Sequence, residues 1–541
     1  MIRGSINNIC LGTSSFERMI AEGKLYIDKT RMIENFLNCS TLVQLVARQR
    51  RLGKSMNMDM LRCFLTDKED NRHLFNGLYI EKSPVWEKAN SAPAFYFDFK
   101  TLTKESYKKT LYNIVCDYID SYCEGVKLSR ATQSYMDDKE FNDSAGILYL
   151  TESVYRATGK RSYIFIDEYD KLLMDNQKSE YYDEIRQFLT GFISSGFKGN
   201  PRLEKGLLTS VLRISHESLL SGLNNIVTYD IFNDDLYTDD YGLTEEEVLG
   251  LSKLAKFDID EARAWYNGVR VNGKPIYNTY AMMSFLFRGS YDCYWGRRGT
   301  MDLIVDLLNE KRKLVLTTLL NHEPLEVPME KYISLTSLSD TSDDEAFYSL
   351  LAQAGYLSLM KLHEASALVS IPNKELAFVW RKFIFKALYA GEALIKTLFD
   401  NIDNEATFAQ DLEYFLSDRL SAHDLAKRSG INAVRMHEQA YHLYLLGMLS
   451  GFEDIRCHFP LSNRESGDGR YDIWVERPNV SVIFELKACS AKGELEKKAQ
   501  EALEQIDAKR YGAEIRPGKK LLKVGIAFCK KLCKVRASAQ A

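Results

Sequence analysis

Short apolar runs separated by longer amphipathic stretches mark the N-terminal half of the chain. Val43 to Val46, FYFDF at Phe95 to Phe99 and Tyr163 to Ile166 each read as an apolar strand, with Leu207 and Leu208 in a fourth. Helical stretches fill the long interval between the first and third runs, which predicts an α/β core with an inserted helical piece. From Tyr241 to about Gly299 the spacing turns helical. There Thr244, followed by Glu245, Glu246 and Glu247, marks a helix start, because a hydroxyl cap and acidic side chains satisfy free N–H groups at the positive dipole end. EARAWYNGVRVNGKPIYNTY then reads as a helix and a turn rich in Gly and Asn. Further on, DDEAFYSLLAQAGYLSLMKLHEASALVSIPN predicts a helix closed at Gly355 and two short strands, compatible with a winged-helix module that either binds DNA or joins domains, with joining the favoured role. Strands return at Tyr471 to Val475 and Val480 to Leu486, around an Arg-Pro-Asn turn. A helix (GELEKKAQEALEQIDAKRYG) and a final strand (LLKVGIAFCKKLCKV) follow.

Composition narrows the class. With 541 residues, 45% hydrophobic and 27% charged, the chain reads as a soluble globular protein of two to four domains. No apolar run approaches the roughly 20 residues of a membrane helix, so no membrane partner is expected. The opening MIRGSINNICLG lacks the apolar centre of a signal peptide. Ten cysteines without a regular framework are expected to be reduced thiols, which points to the cytoplasm. The net charge of −4 excludes a polycation. From Lys487 onward, however, fourteen Lys and Arg face six Asp and Glu, a bias that suits either a phosphate-meeting surface or a solvated helix face.

Two stretches carry nucleotide chemistry. VQLVARQRRLGKSMNMDML runs from a strand into Gly53-Lys54-Ser55 and a helix, as in a phosphate loop whose first glycine is replaced by Arg48. In such a loop backbone N–H groups cradle phosphate, the lysine reaches the outer phosphates and the hydroxyl meets Mg²⁺. RSYIFIDEYDKLL ends its strand in Asp167-Glu168, the aspartate suited to the Mg²⁺ shell and the glutamate to polarising the attacking water. Thr209, Ser210 and Arg213 follow another strand, where they would sense the γ-phosphate. A capped turn after a buried strand, or a surface arginine, is the ordinary alternative for each. LYIDKT, RQRRLGKSMNM, FIDEYDKLL, SGLNN and WYNGVRV…IYNTY together resemble the predicted AAA-ATPase-like proteins of bacteria over roughly the first half of the chain. That family carries a loop of the form R-x-R-R-x-G-K-S, so the resemblance implies an ATP site with Mg²⁺ despite the missing glycine, under a small helical lid.

A second candidate site lies in SGDGRYDIWVERPNVSVIFELKACS. Asp472 is on one strand, and Glu485 and Lys487 share a face of the next, the pattern D-x(n)-E-x-K. Two carboxylates can hold one or two Mg²⁺ or Mn²⁺ ions that activate water, and a lysine can stabilise the transition state of phosphodiester cleavage. A solvated hairpin is the alternative, but an acid wedged between Phe484 and Leu486 needs a partner or a cation. Glu438, on the preceding amphipathic stretch MHEQAYHLYLLGML, is a further metal-ligand candidate. A zinc H-E-x-x-H motif is rejected, because His442 falls one residue late after His437. SNRESGDGRYDI, FELK and EQIDAKRY resemble the PD-(D/E)XK nuclease superfamily, whose motif maps onto Glu438, Asp472, Glu485, Lys487 and Gln505, with Tyr471 in place of the leading proline.

The expected architecture is α/β: a P-loop ATPase core at 1–240, a helical lid and winged-helix-like region at 241–385, and a restriction-endonuclease-like domain at 386–541. The expected function is nucleotide-controlled cleavage of nucleic acid, DNA ahead of RNA. Its alternatives are an ATP-dependent switch or scaffold that grips nucleic acid or protein without cutting, and a homo-oligomeric signalling module.

Overall fold

A computed structural model describes residues 2–213, 225–295, 307–320, 324–333, 342–380, 404–419, 458–462, 465–466, 468–476, 480–511, 519–529 and 532–540, with single residues 219, 220, 223, 304, 402, 442, 445 and 449. The chain divides into two compact units. The first comprises Met1–Leu307 and Asn321–Phe378, the second Leu308–Leu320 and Val379–Ala541.

The first unit is built on five parallel strands: β1 (Val43–Ala47), β2 (Ala94–Asp98), β3 (Ser162–Asp167), β4 (Leu203–Ser210) and β5 (Ile226–Tyr229), in the order β2-β3-β4-β1-β5. Every residue of β1 and β3 is buried, so both faces of the sheet are covered and the strands read as unbroken apolar runs. The helices α1 (Lys54–Leu65), α2 (Tyr107–Cys123), α3 (Gly146–Thr158) and α4 (Tyr182–Phe197) connect them, and α2 and α3 supply the expected helical insertion. Register places Ala47 beside Ser210, Val46 beside Thr209 and Asp98 beside Asp167. The carboxyl ends of the central strands therefore open on one crevice, where the strand order reverses around β1.

The rest of this unit begins with α5 (Glu245–Ala255), whose Thr244 and Glu247 form the capping box anticipated from sequence. After α6 (Ile259–Tyr266), the stretch expected as a simple turn is a β-hairpin, β6 (Val269–Val271) with β7 (Lys274–Ile276). Asn272 and Gly273 both have positive φ, which a two-residue turn with the right-handed twist of the strands requires. Then come α7 (Thr279–Arg288), β8 (Leu325–Pro328), α8 (Asp344–Gln353), β9 (Ser358–Leu362) and β10 (Ser366–Ser370), with the three strands in the order β8-β10-β9. Gly355 closes α8 at φ +85°, a left-handed conformation that favours glycine, and a Cβ there would also displace the side chain of Gln49 in the phosphate-loop stretch.

The second unit holds α9 (Glu405–Arg419), β11 (His458–Ser462), β12 (Ile473–Glu476), β13 (Val480–Ala488), α10 (Leu495–Ala508), β14 (Lys520–Cys529) and β15 (Leu532–Gln540). Its sheet runs β11-β12-β13-β14-β15, and only β13 and β14 are parallel, joined by α10 as the crossover such a pair needs. One sheet face buries Ile473, Val475, Phe484 and Leu486 in a cluster with Phe408, Leu412 and Leu416 of α9. The opposite face carries Trp474 and Ile483, which cluster with Ile506 of α10. The first expected strand starts two residues late, at Ile473. The expected final strand is two, because the chain turns back between Cys529 and Leu532. Of MHEQAYHLYLLGML, only His442, Leu445 and Leu449 are described, and all three are helical and buried. Glu438 and His437 lie outside the described residues.

Candidate functional site

Gly53 caps α1 with φ +91°, a left-handed turn that brings the chain sharply from β1 into the helix and aims the helix N-terminus at the crevice. A pocket of about 540 Å³ opens there. Its lining includes Gly53, Lys54, Ser55, Arg50, Arg51 and Glu168, together with Lys29, Lys100, Lys171 and an apolar portion around Met19, Leu25 and Met283. Cations outnumber acids around this space, which suits an anion with an apolar end. Lys54 is 5% exposed, and its Nζ donates to the carbonyls of Arg48 (2.8 Å) and Gln49 (3.0 Å). Burial pulls its ammonium down to about 8, although Glu168, Asp167 and Asp170 pull the other way.

The arginine that replaces the usual first glycine does not add charge to the pocket. Arg48 is 1% exposed, pairs with Asp234, and donates to the carbonyls of Ala47 (2.9 Å) and Tyr229 (3.1 Å). Its guanidinium is spent tying the loop to the segment after β5. Arg51 adopts φ +70° and lies over the ring of Tyr280, 4.3 Å from its centroid.

At the end of β3, Asp167 accepts hydrogen bonds from the Thr209 hydroxyl and from Oη of Tyr96 (3.2 Å). The same hydroxyl accepts from the amide of Glu168 at 3.2 Å. Thr209 thus uses its donor and its acceptor to hold both acids. Glu168 sits at φ +50°, an uncommon conformation for a residue with a side chain, and it lines the pocket. Asp167 is 1% exposed beneath it. Arg213 is placed elsewhere: it pairs with Asp230 at 2.5 Å, donates to Oη of Tyr332 at 2.8 Å, and is not among the lining residues. Sequence reasoning overlooked Asp170 and Asp240, two buried carboxyls that burial lifts to about 7. Lys29, within LYIDKT, also lines the pocket and has no assigned part in the phosphate chemistry. Asp170 stands in IDEYD, but a third acidic letter carries no periodic signal.

In the second unit Ile473 pairs with Phe484, so Asp472, one residue earlier, lies opposite Glu485. Oδ2 of Asp472 accepts the amide of Leu486 at 2.7 Å, and its backbone carbonyl is 2.9 Å from Nε2 of His442. Glu485 is 3% exposed. Its Oε1 accepts from Nζ of Lys487 (3.3 Å) and from Gln505 on α10, while its Oε2 is buried and has no partner among the described residues. Burial, reinforced by the negative charge of Asp472, pushes the Glu485 carboxyl up to about 8, and burial raises Asp472 as well. A buried carboxylate oxygen without a donor costs free energy that a hard cation would recover. Asp472 and Glu485 fit such an ion. Among the described residues no group of three or more His, Cys, Asp or Glu is gathered as a metal cluster, and the third candidate, Glu438, lies outside them. His442, dismissed as a zinc ligand, positions Asp472 through its backbone.

Fold and side chains together define an α/β chain with a P-loop-like pocket in one unit and a paired-carboxylate strand motif in the other. Residues 10–220 match the family described as a predicted AAA-ATPase, and residues 436–538 match the PD-(D/E)XK nuclease superfamily. The chain therefore carries an AAA-ATPase-like region ahead of a PD-(D/E)XK region. An uncharacterized protein in the vnfD 5′ region of Azotobacter chroococcum mcd 1 is 28% identical over 364 residues, which covers 66% of this chain and 65% of that relative. No helix among the described residues is long and apolar enough to cross a membrane.

Proposed function

We propose that the chain binds and hydrolyses ATP in the first unit and cleaves nucleic acid with a divalent metal in the second, nucleotide state governing cleavage. Gly53, Lys54 and Ser55 bind the phosphates, Ser55 and Asp167 serve the nucleotide's Mg²⁺, and Glu168 orients the attacking water. Arg213 would have to leave Asp230 to reach the γ-phosphate. Asp472, Glu485 and Glu438 hold the second metal, Lys487 stabilises the charge that builds on the phosphate, and Gln505 orients Glu485. A divalent cation bound there supplies an activated water and a counter-charge for the scissile phosphate. In this reading 241–385 serves as lid and winged-helix-like joint between the regions 1–240 and 386–541, in a cytoplasmic protein acting on DNA ahead of RNA.

The observation that carries the reading is Oε2 of Glu485, which has no partner among the described residues and is buried opposite a second carboxyl on a strand that also presents a lysine. A structural acid is ordinarily satisfied by protein donors; among the described residues only Oε1 of this one is. The test is cleavage of labelled single- and double-stranded DNA and RNA with Mg²⁺ or Mn²⁺, with and without ATP. Wild type is expected to cut and Glu485→Ala to lose cleavage while still binding ATP, with Lys54→Ala cutting irrespective of ATP. Equal cutting by wild type and Glu485→Ala removes the assignment. Metal-dependent binding without product favours the switch or scaffold.

A further inference from the structure

Lys29 belongs to the quoted LYIDKT stretch, and nothing in the phosphate chemistry above uses it. It lines the pocket that holds Lys54, yet its side chain is committed elsewhere. Nζ donates to the backbone carbonyl of Asp239 at 2.7 Å and to Oε2 of Glu247 at 2.7 Å. The pair is well screened from water, with side-chain exposures of 9% and 18%. The same Oε2 of Glu247 accepts the amide of Thr244 at 2.8 Å, closing the capping box at the start of α5. One carboxylate oxygen therefore serves both the first turn of α5 and a lysine on the pocket wall.

We propose that Lys29 couples the pocket to α5: an anionic phosphate ligand bound at Lys54 competes with Glu247 for the Lys29 ammonium, and occupancy loosens the hold of the pocket wall on the start of that helix. The proposal rests on the nucleotide reading given above. Three features support it. Lys29 lines a space already rich in cations, where added negative charge is drawn in. Its present partners are one neutral carbonyl and one carboxylate oxygen, and a more highly charged phosphate can displace the carboxylate. Glu247 does not lose its place when released, because the Thr244 cap still holds it. Two discrete arrangements of one side chain, each with its own partner, are what ligand-biased coupling requires.

Lys29 is a positioning residue on this account, and the variants separate coupling from plain structural support. Glu247→Gln keeps an acceptor for the capping box but removes the competing charge. It is expected to tighten binding of Mg²⁺-ATPγS severalfold, whereas a purely structural contact predicts unchanged or weaker binding. Lys29→Met is expected to weaken binding about tenfold, the scale of one lost charge-assisted contact, and Lys29→Arg to restore most of it. Hydrogen exchange across 244–255 in the full chain gives the second readout. In wild type it rises on addition of Mg²⁺-ATPγS or inorganic tripolyphosphate; in Lys29→Met it is already raised and does not respond. Normal binding by wild type with no change in exchange over 244–255, or no tightening in Glu247→Gln, overturns the coupling alone. Failure of wild type to bind either probe overturns the nucleotide reading and the coupling together.

Discussion

Two residues show at the atomic scale how burial sets chemistry. Lys54 is charged at neutral pH, but burial has brought its ammonium down to about 8. A bound polyphosphate would restore a raised value, so above pH about 8 the ligand must bring a proton with it. Calorimetry of nucleotide binding at pH 8.5 in buffers of different ionisation enthalpy is expected to show uptake of up to about one proton per site, absent at pH about 7. Glu485 behaves with the opposite sign. Its folded value is raised, so without metal the folded unit holds a proton that the unfolded chain releases, and the stability this contributes is present at low pH and lost as pH rises through about 8. Metal must displace that proton. Apparent Mn²⁺ affinity is therefore expected to fall up to about tenfold per pH unit below 8, read by titration calorimetry, and Glu485→Gln should flatten the dependence.

At the scale of elements, the second site depends on how closely α10 approaches the sheet. Gly525 on β14 lies beside Glu485 in the parallel register. A Cβ at Gly525 would meet the carbonyl oxygen of Ala499 at 2.4 Å and the amide nitrogen of Leu503 at 2.5 Å, both backbone atoms of α10 that cannot swing aside. Gly525→Ala is expected to push the helix outward, cost about 1–3 kcal/mol in urea unfolding, and lower cleavage by carrying Gln505 off Glu485. In the first unit, Thr209→Val keeps the shape of β4 but strips the hydroxyl from Asp167 and from the amide of Glu168. ATP turnover is expected to fall at least about tenfold with nucleotide affinity nearly intact, measured by steady-state hydrolysis beside equilibrium binding. Both elements were visible as apolar runs. The hairpin at Asn272-Gly273 lies in the stretch expected as a turn rich in Gly and Asn, and strands of three residues show too little alternation to be read from sequence.

At the scale of the whole molecule, two compact units, each with its own candidate site, predict separable ligand effects. An ATP analogue at about 100 times its Kd should stabilise the first unit by about 2.7 kcal/mol, and Mn²⁺ at the same ratio the second by a similar amount. In scanning calorimetry, Lys54→Ala should lose only the first shift and Glu485→Ala only the second. A single transition displaced equally by both ligands would contradict this independence. Composition anticipated more than one core, since a chain of 541 residues cannot bury itself around one. It carried no information on where helix Glu310–Leu320 goes, and that helix falls within the second unit although its neighbours in sequence belong to the first.

Local order and face alternation were determined by the sequence itself. Gly53-Lys54-Ser55 after an apolar strand, Asp167-Glu168 at the end of another, and Glu485 and Lys487 two apart are set by short-range periodicity, which needs no long-range contact to be read. Tertiary structure alone decided what each charge is paired with. Arg48 and Arg213 look alike in sequence as cations near a phosphate site. The fold commits them to Asp234 and Asp230, residues 186 and 17 positions away. It also turns Lys29 toward Glu247, 218 residues on, and leaves Oε2 of Glu485 without a donor among the described residues. Pairing of buried charge depends on which distant backbone segments converge, because only desolvation makes one partner worth far more than water.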